Sequence, residues 1–245
     1  MNAHAGTKIF RIGGHKMLAG YHRPAGSENR RYPAVLFLHG FPGSEKGVDV
    51  QRALMARGIA SVAPSFLGGW GSGGTYRFTT LVPQARAVLR AMRRLEFVDP
   101  KRVAVYGFSM GGWAALNLAA SDPSLKAVVA VSPAGGPEMI GPGSRGLLAH
   151  LSKPLNTLAP DALLTDFCRA AVKFDLAKAV ARIKAPLLLI HGDADETIPA
   201  AVSRRLASSA AGPVRLVIER GAEHDYLDRR EKLARLASRW FAERL

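Results

Sequence analysis

Six short, continuously apolar runs alternate with amphipathic stretches along the chain from residue 32 onward. Continuously apolar runs of this length are typical of strands that are buried on both faces of a parallel sheet. The stretches between them carry apolar residues at helical spacing, so the alternation predicts right-handed crossovers with helices on both faces. The predicted strands cover residues 32–38, 58–63, 103–106, 127–131, 186–190 and 214–218, and the predicted helices cover residues 45–57, 79–96, 110–121, 199–210 and 226–244.

Two further strands are predicted before residue 32. Residues 8–12 and 16–21 flank Gly13 and Gly14, a pair that favours a tight turn between antiparallel strands. The chain of 245 residues has the length of one α/β domain. We therefore expect residues 1–245 to form a single α/β domain around a mostly parallel, eight-stranded sheet flanked by helices.

Residues 133–184 interrupt the alternation between the sixth and seventh strands. They begin with a loop rich in proline and glycine, over residues 133–146, and become helical around residues 147–152 and 160–182. A structureless loop of this length is uncommon within a compact domain. The segment is therefore predicted to form a small, cap-like helical insertion over one edge of the sheet.

The chain is strongly basic, with 34 Lys and Arg against 19 Asp and Glu and a formal net charge of +15. Such a charge raises the possibility of nucleic acid or an anionic membrane surface as a partner. The basic residues are spread over predicted helix faces, as with Arg86, Arg90 and Arg93, and form no basic run interleaved with aromatic residues. This distribution favours a solvated surface over a specific nucleic-acid site.

Targeting features point to the cytoplasm. No apolar run approaches the roughly 20 residues that a membrane span needs, and residues 1–10 contain no apolar core of a secretory signal. A single cysteine, Cys168, excludes an intrachain disulfide and fits a reducing compartment. A secreted chain already trimmed of its signal would look the same.

Two glycine-rich segments, residues 69–74 and 141–146, match the G-x-G-x-x-G pattern of dinucleotide-binding loops. That pattern carries meaning only where it leaves a strand and opens a helix within one βαβ unit. The first segment follows its strand only after an intervening stretch, and the second has no strand before it. Neither indicates a nucleotide, and no cofactor is expected.

The strongest chemical motif is Gly107-Phe108-Ser109-Met110-Gly111, which matches G-x-S-x-G between a predicted strand and a predicted helix. A turn this tight needs minimal side chains beside the serine and pushes its hydroxyl out at the carboxyl edge of the sheet. Ser109 is therefore the expected nucleophile, and a nearby base must remove its proton.

Two histidines outside the insertion follow Ser109, His191 and His224. His191 ends a buried strand, which favours a structural role for it. His224 lies in a polar loop after the last strand, at the edge of the sheet where ligands bind in such folds. The order serine, acid, histidine along the chain is the one that nucleophile-elbow hydrolases use. His224 is therefore the expected base.

The acid that orients this base is expected in the loop after the seventh strand. Three carboxylates compete there, Asp193, Asp195 and Glu196. Glu196 fits the first turn of the next helix. Asp195 is favoured with Asp193 as its rival, and spacing alone leaves both open.

The loop after the first parallel strand, Leu38-His39-Gly40-Phe41-Pro42-Gly43, completes the expected site. Acyl transfer needs two donors facing the oxyanion. The backbone N–H of Met110 is expected to supply one donor. The N–H of Phe41 is positioned to supply the other, since Pro42 has no N–H. His39 is expected to hold this loop in shape.

These motifs resemble the α/β-hydrolase superfamily, and more narrowly the catalytic domain of prolyl oligopeptidases and the dienelactone-hydrolase-like esterases. The resemblance spans about residues 30–245. Residues 192–199 resemble the family pattern G-x-x-D-x-x-V-P, with Ile198 in place of valine, which implies that Asp195 is the acid. The chain has no segment for the N-terminal propeller of the peptidases, and it carries Ser109 where dienelactone hydrolases carry cysteine. Both departures favour a carboxylesterase.

The expected activity is hydrolysis of small-molecule carboxylic esters through an acyl-enzyme, without metal or cofactor. Phe66, Trp70 and Phe108 lie near the predicted mouth of the site, so an apolar acyl group or an aromatic ester is the expected substrate. A small peptidase and a thioesterase or acyltransferase would use the same residues. A polyanion-binding protein on this fold is the alternative outside enzymes.

Overall fold

The computed structural model describes residues 3–27, 29–134, 136 and 140–245. Eight strands form one sheet in the order β1-β2-β4-β3-β5-β6-β7-β8. β2 pairs antiparallel with β1 and β4, whereas the pairings from β4 through β3 to β8 are parallel. The expected mostly parallel, eight-stranded sheet is thus confirmed. The strands are β1 (His4–Ile12), β2 (His15–Arg23), β3 (Tyr32–Leu38), β4 (Ala60–Pro64), β5 (Val98–Phe108), β6 (Val128–Val131), β7 (Leu187–Gly192) and β8 (Val214–Glu219).

Helices cover both faces of the sheet, and each face has its own apolar core. On one face, Val50 and Leu54 of α1 and Phe241 of α8 pack against strand residues such as Phe37. On the other face, the apolar sides of α2, α3 and α7 are buried. The helices are α1 (Val48–Met55), α2 (Phe78–Met92), α3 (Met110–Ala119), α4 (Ser144–Leu151), α5 (Pro160–Lys173), α6 (Leu176–Val180), α7 (Ala201–Ser209) and α8 (Arg230–Ala242).

The segment between β6 and β7 is helical, as expected, and contains α4, α5 and α6. It packs on α2 and α3: the ring of Phe167 lies 4.8 Å from that of Phe78, and Asn117 donates to the carbonyl of Phe174. Of the proline- and glycine-rich loop that opens this segment, residues 135 and 137–139 lie outside the described residues.

The predicted helix over residues 160–182 is in fact two helices. The helix is interrupted between α5 and α6, where the side chain of Asp175 accepts a hydrogen bond of 3.0 Å from the backbone N–H of Lys178. Aspartate at this position is a favourable N-cap, because it satisfies an N–H that the first turn leaves without a partner. The boundary therefore has a signal in the sequence that the apolar periodicity alone does not reveal.

The first glycine-rich segment is a turn docked on the edge hairpin rather than the start of a helix. The N–H of Gly73 donates to the carbonyl of Lys16 at 2.8 Å, and the N–H of Leu18 donates to Ser72 Oγ at 2.9 Å. The second segment runs into α4, where the N–H of Gly141 donates to Ser144 Oγ at 2.9 Å. Both runs thus make local structural contacts.

Candidate active site

Ser109 occupies a strained turn between β5 and α3. Its φ of +53° and ψ of −120° lie in a backbone region that residues other than glycine rarely adopt. The flanking glycines make the turn possible, because a Cβ at Gly107 would collide with the carbonyl of Gly111, and one at Gly111 with the carbonyl of Leu38. The turn sets Ser109 at the carboxyl edge of the sheet, directly before the N-terminus of α3.

The loop after β3 passes close beside this turn. A Cβ at Gly40 would lie 3.1 Å from the Cβ of Ser109, so only glycine allows this approach without a shift. The N–H groups of Phe41 and Met110 form no hydrogen bond within the described part of the chain. Both groups remain available as donors, and that of Met110 directly follows Ser109 at the start of α3, where the partial positive charge of the helix adds to it.

His224 comes from the loop after β8 and reaches Ser109. Its Nε2 lies 3.1 Å from Ser109 Oγ, and its Nδ1 lies 2.8 Å from Asp195 Oδ2. A carboxylate only accepts hydrogen bonds, so Nδ1 carries the proton and Nε2 accepts from the serine hydroxyl. The ring of Phe108 packs against the imidazole with its centroid 5.1 Å away. This arrangement has the order of contacts needed to remove a proton from Ser109.

Asp195 is the carboxylate that the fold brings to His224. Its side chain is fully buried, and its Oδ1 accepts the backbone N–H groups of Thr197 at 3.0 Å and Ile198 at 2.8 Å. Burial raises the pKa of a carboxyl group, but the hydrogen bonds from His191, His224 and the N–H of Ile198 hold the pKa of Asp195 well below its usual range. Asp195 is therefore ionised beside the imidazole at neutral pH.

The two other carboxylates of this loop point elsewhere. Asp193 is exposed, and its Oδ1 accepts the N–H of Gly221 at 2.6 Å. Glu196 is exposed on the loop. The structure brings Asp195 to His224 because the backbone turns back over the carboxylate at Thr197 and Ile198.

His39 is enclosed by the loop that it was expected to shape. Its Nε2 accepts the N–H of Phe66 at 3.1 Å, and its Nδ1 lies 2.7 Å from the carbonyl of Gly40. Desolvation by burial, with a further contribution from the charge of Lys46, lowers the pKa of His39 to about 3. A neutral, buried imidazole thus ties the loop after β3 to the segment after β4.

The three residues expected at the substrate mouth have different surroundings. Phe66 is buried, with its ring edge-on to the imidazole of His39 at 4.8 Å. Trp70 is exposed, and its indole N–H donates to the carbonyl of Pro42 at 2.8 Å. Phe108 is half-buried and, of the three, is the one in contact with His224.

An aromatic cluster beside the site was not anticipated from the sequence. The ring of Phe41 lies 5.4 Å from Tyr76 and 5.2 Å from Phe78, and Phe78 contacts Phe167 of α5. The cluster links the loop that carries the Phe41 N–H to the inserted helices. The aromatic residues were visible in the sequence, but nothing there indicated which of them would meet.

Within residues 3–27, 29–134, 136 and 140–245, no three His, Cys, Asp or Glu side chains are arranged to hold a metal ion. No helix in these ranges is long and apolar enough to cross a membrane.

Comparison with known proteins identifies the family of the chain. Residues 35–236 match the model of the alpha/beta hydrolase family. An uncharacterized protein of Mycobacterium tuberculosis, found in two strains, is 29% identical over 194 residues, which cover 79% of this chain. The match spans 63% of that relative's own length.

Three solved structures share the fold over nearly the whole chain. Est1E from Butyrivibrio proteoclasticus with bound ferulic acid has a TM-score of 0.79 at 22% identity, over 97% of this chain and 98% of its own. Dienelactone hydrolase from Anabaena variabilis has a TM-score of 0.72 at 22% identity, over 100% of both chains. A putative dipeptidyl aminopeptidase IV from Bacteroides ovatus has a TM-score of 0.76 at 18% identity, over 99% of this chain but 36% of its own.

Proposed function

Because the chain belongs to the alpha/beta hydrolase family, we propose that it is a serine hydrolase that cleaves carboxylic esters through an acyl-enzyme intermediate. The observation that carries this proposal is the continuous chain of contacts from Ser109 Oγ to His224 Nε2, at 3.1 Å, and from His224 Nδ1 to Asp195 Oδ2, at 2.8 Å. A serine hydroxyl is inert at neutral pH unless a base removes its proton. His224 is the proposed base, and Asp195 is proposed to hold its tautomer.

In the proposed reaction, Ser109 Oγ attacks the ester carbonyl while His224 Nε2 takes the hydroxyl proton. The backbone N–H groups of Phe41 and Met110 stabilise the negative charge that develops on the carbonyl oxygen. The imidazolium then protonates the leaving alcohol, and Asp195 stabilises its charge. Water then attacks the acyl-enzyme while the same imidazole takes its proton. That proton passes to Ser109 Oγ as the bond between Oγ and the acyl carbon breaks, which releases the acid and restores the serine.

An apolar or aromatic acyl group is the proposed substrate class. The half-buried rings of Phe41 and Phe167 are the members of the aromatic cluster that can offer surface to such a group, because Tyr76 and Phe78 are buried behind them, and the helices α4–α6 are the proposed cap. Flat aromatic rings prefer to pack on one another in offset or edge-to-face contacts. The ferulic acid bound to the structurally similar Est1E is itself an aromatic acid, which supports testing aromatic esters first.

The test is a panel of nitrophenyl esters of increasing acyl length and of aromatic acids, run beside peptide nitroanilides and thioesters. Ester turnover that exceeds amide and thioester turnover separates the proposed esterase from a peptidase or thioesterase. In parallel, Ser109→Ala is expected to lower kcat by about 10⁴–10⁶, because the serine and histidine act as a unit.

Ser208→Ala is the matched control for that variant. Ser208 is an exposed serine whose hydroxyl donates to the carbonyl of Arg204 within α7, so its loss should leave turnover unchanged. Near-normal turnover by a folded Ser109→Ala protein would remove Ser109 as nucleophile. Absence of ester turnover by the unaltered chain, across the whole panel, would overturn the esterase proposal.

A further inference from the structure

A second histidine contacts the carboxylate that faces His224. His191 Nε2 lies 3.3 Å from Asp195 Oδ2, the same oxygen that accepts from His224 Nδ1 at 2.8 Å. The side chains of His191 and Asp195 are both completely buried. His191 is the penultimate residue of β7, so the sheet itself fixes where this ring lies.

The surroundings of His191 determine where its proton lies. Nε2 is 2.8 Å from the carbonyl oxygen of Ile198, and Nδ1 is 2.7 Å from Ser203 Oγ. Both oxygens that face Nε2, from Ile198 and Asp195, only accept hydrogen bonds, so Nε2 carries a hydrogen. With the hydrogen on Nε2, Nδ1 accepts a hydrogen bond from the Ser203 hydroxyl.

The ring of His191 links Ser203 to Ile198, which lies in the loop that carries Asp195. Ser203 belongs to α7 and is completely buried, so it anchors the imidazole to a helix that packs against the sheet. Ile198 supplies its N–H to Asp195 Oδ1 and its carbonyl to His191 Nε2. The loop from β7 to α7 is therefore closed around one imidazole.

We propose that His191 is a positioning residue for the triad acid: its Nε2–H, shared with the carbonyl of Ile198, holds Asp195 Oδ2 in the orientation that receives His224 Nδ1–H. The inference rests on the proposed serine-hydrolase function. Without this donor, the N–H groups of Thr197 and Ile198 still hold Oδ1, but Oδ2 is fixed only by the imidazole that it is meant to orient. A group that orients a functional side chain through a hydrogen bond affects activity, because a small displacement of the reacting groups lowers the rate.

Two variants of His191 separate the hydrogen bond from the packing. Glutamine places its amide nitrogen near the position of Nε2, so His191→Gln can keep the donor toward Asp195. Asparagine places its amide near the position of Nδ1, so His191→Asn keeps a polar group toward Ser203 and loses that donor. Both variants lose the ring, so each controls for the packing loss in the other.

The expected result is a kcat that falls about tenfold in His191→Asn and stays within about threefold in His191→Gln, with KM little changed in both. A tenfold fall is what the loss of one hydrogen bond to a charged group produces. Melting temperatures are measured for both variants. If the loss of kcat follows the loss of melting temperature alone, or is equal in the two variants, the ring only fills space and the inference is wrong.

A proton spectrum gives a second readout that packing alone does not move. The hydrogen shared between His224 Nδ1 and Asp195 gives a downfield resonance when the bond is short and shielded from solvent. It should persist in His191→Gln and broaden or vanish in folded His191→Asn; an unchanged resonance in the latter overturns the proposal.

Ser109→Ala is run alongside. If that variant keeps ester turnover, the serine-hydrolase function has failed. If it is inactive while the two His191 variants are equally active, only the positioning role has failed.

Discussion

Asp193 Oδ1 accepts the backbone N–H of Gly221 at 2.6 Å, which ties the loop after β7 to the loop after β8. Gly221 has a φ of +68°, in the left-handed region, and His224 follows three residues later. The carboxylate that the sequence presents as the rival of Asp195 therefore holds the start of the loop that delivers the imidazole. Asp193 thus supports His224 through the backbone of Gly221, three residues before it, whereas Asp195 supports His224 through its ring.

This division predicts opposite outcomes for two matched substitutions. Asp195→Asn should lower kcat by about 10⁴, because an amide no longer fixes the tautomer of His224. Asp193→Asn should change turnover little, because the Asn oxygen can still accept the Gly221 N–H. Steady-state hydrolysis of one nitrophenyl ester checks both variants, with circular dichroism to show that each is folded. A severe loss in Asp193→Asn beside a mild one in Asp195→Asn would exchange the two roles.

The sequence predicts the serine turn well, because its requirements are local. A strand, two glycines and a helix lie within a dozen residues of Ser109, so the motif and its context can be read together. The acid is harder to predict, since Asp193 and Asp195 are two residues apart on one loop. What separates them is how the backbone of Thr197 and Ile198 folds back, and spacing does not contain that information.

The glycines of the turn give a prediction about folding. Gly111→Ala should destabilise the protein severely, because its Cβ would collide with the backbone carbonyl oxygens of Leu38 and His39, which cannot move aside cheaply. Gly146→Ala is the matched control, because Gly146 is exposed in α4 with open space where a Cβ would be added. Alanine there should be neutral or stabilising by up to about 1 kcal/mol. Urea unfolding of both variants checks this, and similar midpoints would contradict the geometry of the turn.

The residues against which the inserted helices pack cannot be predicted from the sequence pattern. The helical content of the insertion follows from periodicity, and its position between β6 and β7 follows from the strand count. Its docking site does not, because Phe167 meets Phe78 across 89 residues of chain, and many apolar residues of α2 and α3 would have offered comparable surface. Only the packing of the complete fold selects the pair.

His39 predicts a pH dependence of stability. Its pKa is lowered from 6.5 to about 3 by burial first and by Lys46 second, so the folded state holds a neutral ring at pH values where the unfolded chain binds a proton. Acidification from pH 6.5 toward 3 therefore favours unfolding, and stability returns as the pH rises through that window. Between pH 6.5 and 4.5, the loss should amount to about 2–3 kcal/mol.

Chemical denaturation of the unaltered chain and of His39→Asn at pH 7 and 4.5 measures this dependence. The variant should be less stable at pH 7, since Phe66 loses the acceptor of its N–H, but its stability should fall less on acidification. His15→Asn is the control, because His15 is exposed. An equal fall in the unaltered chain and in His39→Asn would show that His39 does not carry the effect. The lowered pKa of Asp195 acts in the same direction but below its ordinary value of 3.8, outside the measured range.

The basic surface should be dispensable for chemistry. Arg52, Arg57 and Arg235 line a groove between α1 and α8, and Arg57 lies just before the start of β4, whereas Ser109 follows the carboxyl end of β5. Because β4 and β5 both run parallel to β3, Arg57 and Ser109 lie toward opposite ends of the sheet, about 16 Å apart for a strand of five residues. That separation exceeds the roughly 10 Å over which 0.1 M salt screens exposed charges.

Added salt should therefore change kcat/KM for a neutral ester little, whereas binding to a polyanion would weaken steeply as counterions are released. One titration from low to high salt, following ester turnover and the anisotropy of a labelled oligonucleotide, compares the two. Arg52→Gln combined with Arg57→Gln should leave turnover unchanged at every salt concentration. Tight, sequence-indifferent oligonucleotide binding that persists near physiological salt, with no turnover of any ester, would make this chain a polyanion-binding protein on a hydrolase fold.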